Sequence, residues 1–155
     1  MISVQIVDFP ETKMAVLEHH GDPKTIGESV QRFIEFRKQN HLHPSNHATF
    51  NIAYNSPTET APEDFRIDLC VATDEPITDK EYGIGNKTIP GGRCAVLRHV
   101  GSDEMLGESI RKLCAEWFPQ SGESRRDFPL YLQRVKFPPE VPENESIIDV
   151  FLPLQ

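Results

Sequence analysis

Three histidines within seven residues, His41, His43 and His47 in HLHPSNH, form the densest group of metal-binding side chains in the chain. Ligands at that spacing converge on one ion only inside a preformed loop, and no Cys or carboxylate stands beside them to complete a tetrahedral set. The segment reads as a solvent-exposed loop, and no metal is expected. His19 and His99 each stand two residues before a glycine. Such a residue ends a strand and hydrogen-bonds the backbone; the alternative is a proton-active or metal pair meeting across a symmetry axis. Glu28 and Glu108, each in a Gly-Glu-Ser triplet, fall in first helical turns, where negative charge favours the helix dipole. Cys70, Cys94 and Cys114 are odd in number and widely spaced, as in reduced thiols of a cytoplasmic protein rather than a disulfide framework. Nucleophile elbow, P-loop, zinc-protease and dinucleotide motifs are all missing. The glycine-rich run GIGNKTIPGG at 83–92 precedes a strand instead of opening a helix, so it reads as a flexible connector and not as a phosphate cradle. No catalytic residue and no cofactor are expected.

The elements that position these residues come in two copies. Residues 14–30 (MAVLEHHGDPKTIGESV) and 94–110 (CAVLRHVGSDEMLGESI) align without a gap at an offset of 80, with eight of 17 positions identical. Such internal repetition marks a duplicated unit. Each copy opens with a strand, Met14–His20 or Cys94–Val100, and runs into a helix, 22–39 or 103–118. Asp22, with Pro23 just inside, is the expected cap of the first helix, and Ser102 that of the second. Ile26, Val30, Phe33 and Ile34 share a helical face, as do Leu106, Ile110, Leu113, Cys114, Trp117 and Phe118. Trp117 on that stripe reads as core, with ligand stacking as the alternative.

Two further strands follow each helix: Ala48–Tyr54 and Phe65–Val71, then Pro129–Val135 and Ser146–Leu152. Phe65, Ile67, Leu69 and Val71 alternate with Arg66, Asp68 and Cys70, the pattern of a strand with one buried face. Asp68 and Asp149 match at an offset of 81. Extra strands are predicted at Ser3–Val7 and, more weakly, near Gly85–Thr88. The expected fold is α+β: one domain over 1–155, a tandem duplication of a β-α-β-β unit (about 1–80 and 81–155) with pseudo-twofold symmetry. Two helices would pack on antiparallel sheet, with a groove between the repeats.

Composition narrows the function. The chain has 155 residues, 37% apolar and 26% charged, and a formal charge of −8. Its basic runs, Arg125–Arg126 among them, are no longer than two residues, so direct nucleic-acid binding is not expected. No apolar run is long enough to span a bilayer and the N-terminus is no signal peptide, so a cytoplasmic chain without membrane association is expected. No helix-turn-helix is legible, and the Met1 start favours a stand-alone chain.

The repeat, EWFPQSG at 116–122, FPLYLQRV at 128–135 and IIDVFLPL at 147–154 resemble the GyrI-like family over essentially the whole chain. That family includes the gyrase inhibitory protein and the effector-binding domains of AraC-type and multidrug-sensing activators. The resemblance implies a groove that binds bulky or amphipathic small molecules. It also implies a glutamate, in a Pro-x-aromatic-Glu-x-Tyr pattern, that meets cations. Here the run is Pro129, Leu130, Tyr131, Leu132, Gln133, Arg134: Leu132 replaces the glutamate and Arg134 the tyrosine. A buried carboxylate selects cations, so Leu removes that selection and Arg reverses its sign. Side-chain alternation puts 132 and 134 on one strand face, with Asn51 and Ala53 as first-repeat counterparts. The ligand-binding set is thus Asn51, Leu132 and Arg134, walled by Tyr54, Trp117 and Tyr131, for a neutral or anionic amphipathic small molecule. The expected role is transcriptional regulation, drug sensing or sequestration. A protein partner, such as a separate regulator or gyrase, is the alternative. The family resemblance also raises hydrolysis of reactive genotoxic compounds, for which Leu132 lacks the acid or base.

Overall fold

The computed structural model describes residues 3–77 and 79–155; Met1, Ile2 and Thr78 lie outside the described residues. The chain divides into two compact units, Glu11–Pro90 and Met1–Pro10 with Gly91–Gln155. Each carries one β-α-β-β repeat plus one added strand, in the α+β class that the sequence predicts.

In the Glu11–Pro90 unit, four antiparallel strands lie in the order β3 (Thr49–Ala53), β4 (Arg66–Ala72), β2 (Thr12–His20) and β5 (Ile84–Ile89). Helix α1 (Ile26–Gln39) follows a short 3-10 turn that starts at Pro23, where the Asp22 carboxylate accepts the Lys24 N–H at 2.9 Å. Glu28 in the first turn and Arg37 and Lys38 in the last complement the helix dipole. The helix buries Ser29, Phe33, Phe36 and Arg37. Phe33 and Phe36 join Ala15, Leu17, Leu69 and Val71 in the core, each burial contributing roughly 1.5–3 kcal/mol. This face is rotated from the predicted stripe: Val30 and Ile34 stay 38% and 39% exposed. Arg37 takes the inner position because its guanidinium donates to the Leu42 and His47 carbonyls and to Thr49 Oγ1. Its pKa is lowered to about 10 by burial.

The second unit repeats the plan in the order β1 (Val4–Phe9), β6 (Gly92–Val100), β8 (Ile147–Pro153) and β7 (Tyr131–Lys136). Its helical segment is compound: α2 (Leu106–Arg111), a π turn (Lys112–Trp117) and α3 (Phe118–Ser121), ending at Gly122 with φ 75°. A π turn closes hydrogen bonds one residue farther along than an α turn. Phe33 matches Leu113 at an offset of 80, but Phe50 matches Tyr131 and Asp68 matches Asp149 at 81. The residue accommodated by the π turn accounts for that shift.

Three further expectations change. Ser102 makes no side-chain cap; its carbonyl is hydrogen-bonded to the His99 ring instead. The glycine-rich run at 83–92 is not a loose connector: it holds β5, paired along β2, where the weaker extra strand near Gly85–Thr88 is predicted. Asp68 and Cys70, assigned to an exposed strand face, are fully buried, and Leu69 and Val71 on the other face of β4 are buried too. Among the described residues no helix is long and apolar enough to cross a membrane.

Candidate functional site

Strand β7 presents Leu132 and Arg134 on the face covered by α2. Leu132 pairs with Val150 and Arg134 with Ile148, which in turn pairs with His99, and the His99 ring bonds Ser109 of α2. Leu132 is 3% exposed. The Arg134 guanidinium donates two hydrogen bonds to Asp103, Nη1 to Oδ1 and Nη2 to Oδ2, each 3.0 Å. Asp103 opens the 3-10 turn that leads into α2. Trp117 closes the π turn and is half-buried.

Tyr131 points the other way, as alternation requires. It is stacked on Phe151 at 5.0 Å and meets Phe9 and Phe128 edge-on at 5.1 and 6.1 Å. Its hydroxyl lies 3.2 Å from Cys94 Sγ. Burial, and then the contact with Cys94, push the phenol well above its ordinary pKa. Tyr131 is therefore a core residue of the helix-free face.

In the Glu11–Pro90 unit, Asn51 pairs with Leu69 on the helix face and donates to the Asp68 carbonyl at 3.3 Å. Tyr54 takes part in a charged cluster on the opposite face. Its hydroxyl donates to Asp68 Oδ2 at 2.6 Å, and Lys87 Nζ donates to the same oxygen at 2.7 Å and to Tyr54 Oη at 3.1 Å. Lys87 also bridges to Glu18 at 2.9 Å, and the Arg66 guanidinium lies 3.9 Å from the Tyr54 ring centroid. Asp68 Oδ1 and Arg66 Nε are buried without a hydrogen-bond partner among the described residues. Hydrogen bonds from Lys87 and then His20 lower the Glu18 pKa to about 2. Burial alone would lower the Lys87 pKa, but bonds to Asp68, Glu18 and Tyr54 outweigh it and hold the ammonium well above its ordinary value. The sequence signal for this cluster was the repeated Asp68/Asp149; its cation was hidden in the glycine-rich run.

The two repeat-equivalent histidines have matching partners. His19 Nδ1 lies 2.8 Å from Ser29 Oγ and Nε2 3.2 Å from the Asp22 carbonyl; for His99 the distances are 2.7 Å to Ser109 and 3.0 Å to the Ser102 carbonyl. A carbonyl only accepts, so Nε2 carries a proton in both rings. Both rings fasten a strand end to the start of the following helix. In the loop at 41–47, His43 meets Ser45 and His47 bonds the Ala72 carbonyl. No group of three metal-ligating side chains occurs among the described residues.

Beside each helix runs an open crevice. One, of 860 Å³, is lined by Glu18, Glu28, Ser29, Arg32 and Glu35 among others. Its counterpart, of 630 Å³, holds Arg98, Ser109, Lys112 and Asp149.

Comparison with known proteins gives three kinds of similarity. A family model described as GyrI-like small molecule binding domain matches residues 3–155. The probable transcriptional regulator YgiV of Escherichia coli (strain K12) is 38% identical over 154 residues, covering 99% of this chain and 96% of the relative. Among solved structures, the EcmrR C-terminal domain superposes with TM-score 0.79 at 13% identity, covering 100% of this chain and 98% of that one. SAV2435, solved bound to tetraphenylphosphonium, gives 0.64 at 7% identity, with coverage of 99% and 94%. At such identities the two structures share the fold.

Proposed function

The chain belongs to the GyrI-like small-molecule-binding family, and from that premise we propose that it is a ligand sensor for neutral or anionic amphipathic molecules, acting in transcriptional regulation. The observation that carries the ligand class is the pair Leu132 and Arg134 on the helix-covered face of β7. Leu132 sets a buried apolar side chain where a carboxylate would recruit cations, and Arg134 two residues on carries a positive charge that Asp103 pairs. Trp117, half-buried at the π turn, stays the aromatic candidate to stack on a ligand. Tyr131 and Tyr54 serve the helix-free faces and are left out of the ligand set; Asn51 stays a candidate on the helix face of its own unit. The regulatory role follows the relative YgiV, whose name describes a probable transcriptional regulator. SAV2435 was solved with a lipophilic cation; this chain is expected to prefer the opposite charge.

A thermal-shift series of amphipathic compounds sorted by charge tests the reading, because a ligand that binds only the folded state raises the melting temperature. Neutral and anionic compounds are expected to stabilise the protein more than tetraphenylphosphonium does. Leu132→Glu is expected to reverse that order. A wild-type protein stabilised chiefly by cations would refute the assignment.

A further inference from the structure

We propose that Asp103 is a built-in occupant of the Arg134 anion seat, and that the ligands include amphipathic anions whose carboxylate or sulfonate displaces it. The inference rests on the small-molecule reading above and narrows its ligand class. Arg134 presents its fork of N–H donors to the two oxygens of Asp103 at 3.0 Å each, the geometry in which a guanidinium takes any carboxylate or similar oxyanion.

The two partners differ in exposure. The Arg134 side chain is 24% exposed and Asp103 58%. Asp103 therefore leaves toward water, where its charge is readily solvated, while Arg134 stays held among its strand neighbours. An ion pair with one partner this exposed is weak and open to competition. A ligand anion that replaces Asp103 restores both hydrogen bonds to the guanidinium.

Repeat symmetry shows that the pair is not needed to build the unit. Asp103 matches Pro23 at the offset of 80, and Arg134 matches Ala53 at 81. Neither charge has a counterpart in the first repeat, yet that repeat forms the same strand-helix-strand-strand order. Displacement also has a structural consequence, because Asp103 begins the turn Asp103–Met105 at the entry to α2. Occupancy of the seat is thereby linked to the position of the helix start.

The test is a pair of fluorescence titrations, with anionic 8-anilinonaphthalene-1-sulfonate and neutral Nile red, on the wild type, Asp103→Asn and Arg134→Met. Removing the internal competitor is expected to tighten sulfonate binding about fivefold and to change Nile red by less than about twofold. Arg134→Met is expected to weaken the sulfonate and, in the double variant, to erase the gain. Asp103 is exposed, so Asp103→Asn should melt with the wild type, separating ligand effects from unfolding. Sulfonate binding unchanged in Asp103→Asn, or both probes tightened alike, overturns the displacement while leaving the small-molecule reading intact. Failure of either probe to bind any of the proteins removes both.

Discussion

Asp68 and Asp149 occupy the same place in the two repeats, yet they are neutralised in different ways. In the second unit, Arg98 stands directly across the strand pair from Asp149 and holds it with two hydrogen bonds of 2.8 and 3.0 Å. In the first, the residue across from Asp68 is Glu18, an acid facing an acid. Like charges directly opposed on neighbouring strands are destabilising. Lys87 removes the conflict by reaching in from β5 to bridge both carboxylates. Its register counterpart in the second unit is Val7, since Lys87 pairs with Met14 and Val7 with Cys94, the matching residue. Both repeats thus keep the acid, but its cation stands on the adjacent strand in the second and on the edge strand in the first.

Burial differs as well: Asp149 is 14% exposed and Asp68 0%. Lys87→Met should therefore cost about 3 kcal/mol in urea denaturation, since it strands a buried carboxylate. Arg98→Met should cost less than about 1 kcal/mol, because Arg98 is 57% exposed. Equal losses would show that burial does not set the difference between the repeats. A second variant sharpens the exchange. Placing arginine across from Asp68 with Glu18→Arg, in the Lys87→Met background, should recover about 2 kcal/mol, because it rebuilds the second unit's pairing. No recovery would mean that β5 itself, and not the charge, does the stabilising.

The smallest effect concerns pH. Glu18 has its pKa lowered from 4.5 to about 2 in the folded state. A depressed carboxylate stabilises above its unfolded pKa and loses that contribution as pH falls through the folded value. The stability difference between wild type and Glu18→Gln should thus shrink between about pH 5 and about pH 2, by under about 1 kcal/mol for so exposed a group. A difference that stays constant over that window would place the Lys87 bridge on Asp68 alone.

Local patterning made most of the fold legible. The gapless repeat placed both β2 and β6 and both helix starts, because identity and period coincide there. The helix face was misread because Val30 and Ile34 are apolar while the buried Arg37 is not, and Arg37 goes inside only through three acceptors supplied by the chain that follows the helix. The strand at 84–89 was faint because its glycine and polar residues have little strand preference of their own, and its order comes from pairing with β2. For the candidate site, alternation alone put Leu132 with Arg134. It equally separated Tyr131 from them, and that tyrosine had been grouped by aromatic character instead of by register. The Asp103 contact was not legible, since no sequence period relates a turn at 103 to a strand at 134.

The edge strands also set an order of events during synthesis. Of the eight strands described, β1 is made first, but it pairs with β6, which begins at Gly92. Until Gly92–Val100 is made, Val4–Phe9 is a strand whose partner does not yet exist, while the Glu11–Pro90 unit has all four of its strands as soon as Ile89 emerges. Chain growth from the N-terminus therefore favours completion of the middle of the sequence before its beginning. Strand β1 waits for the second repeat.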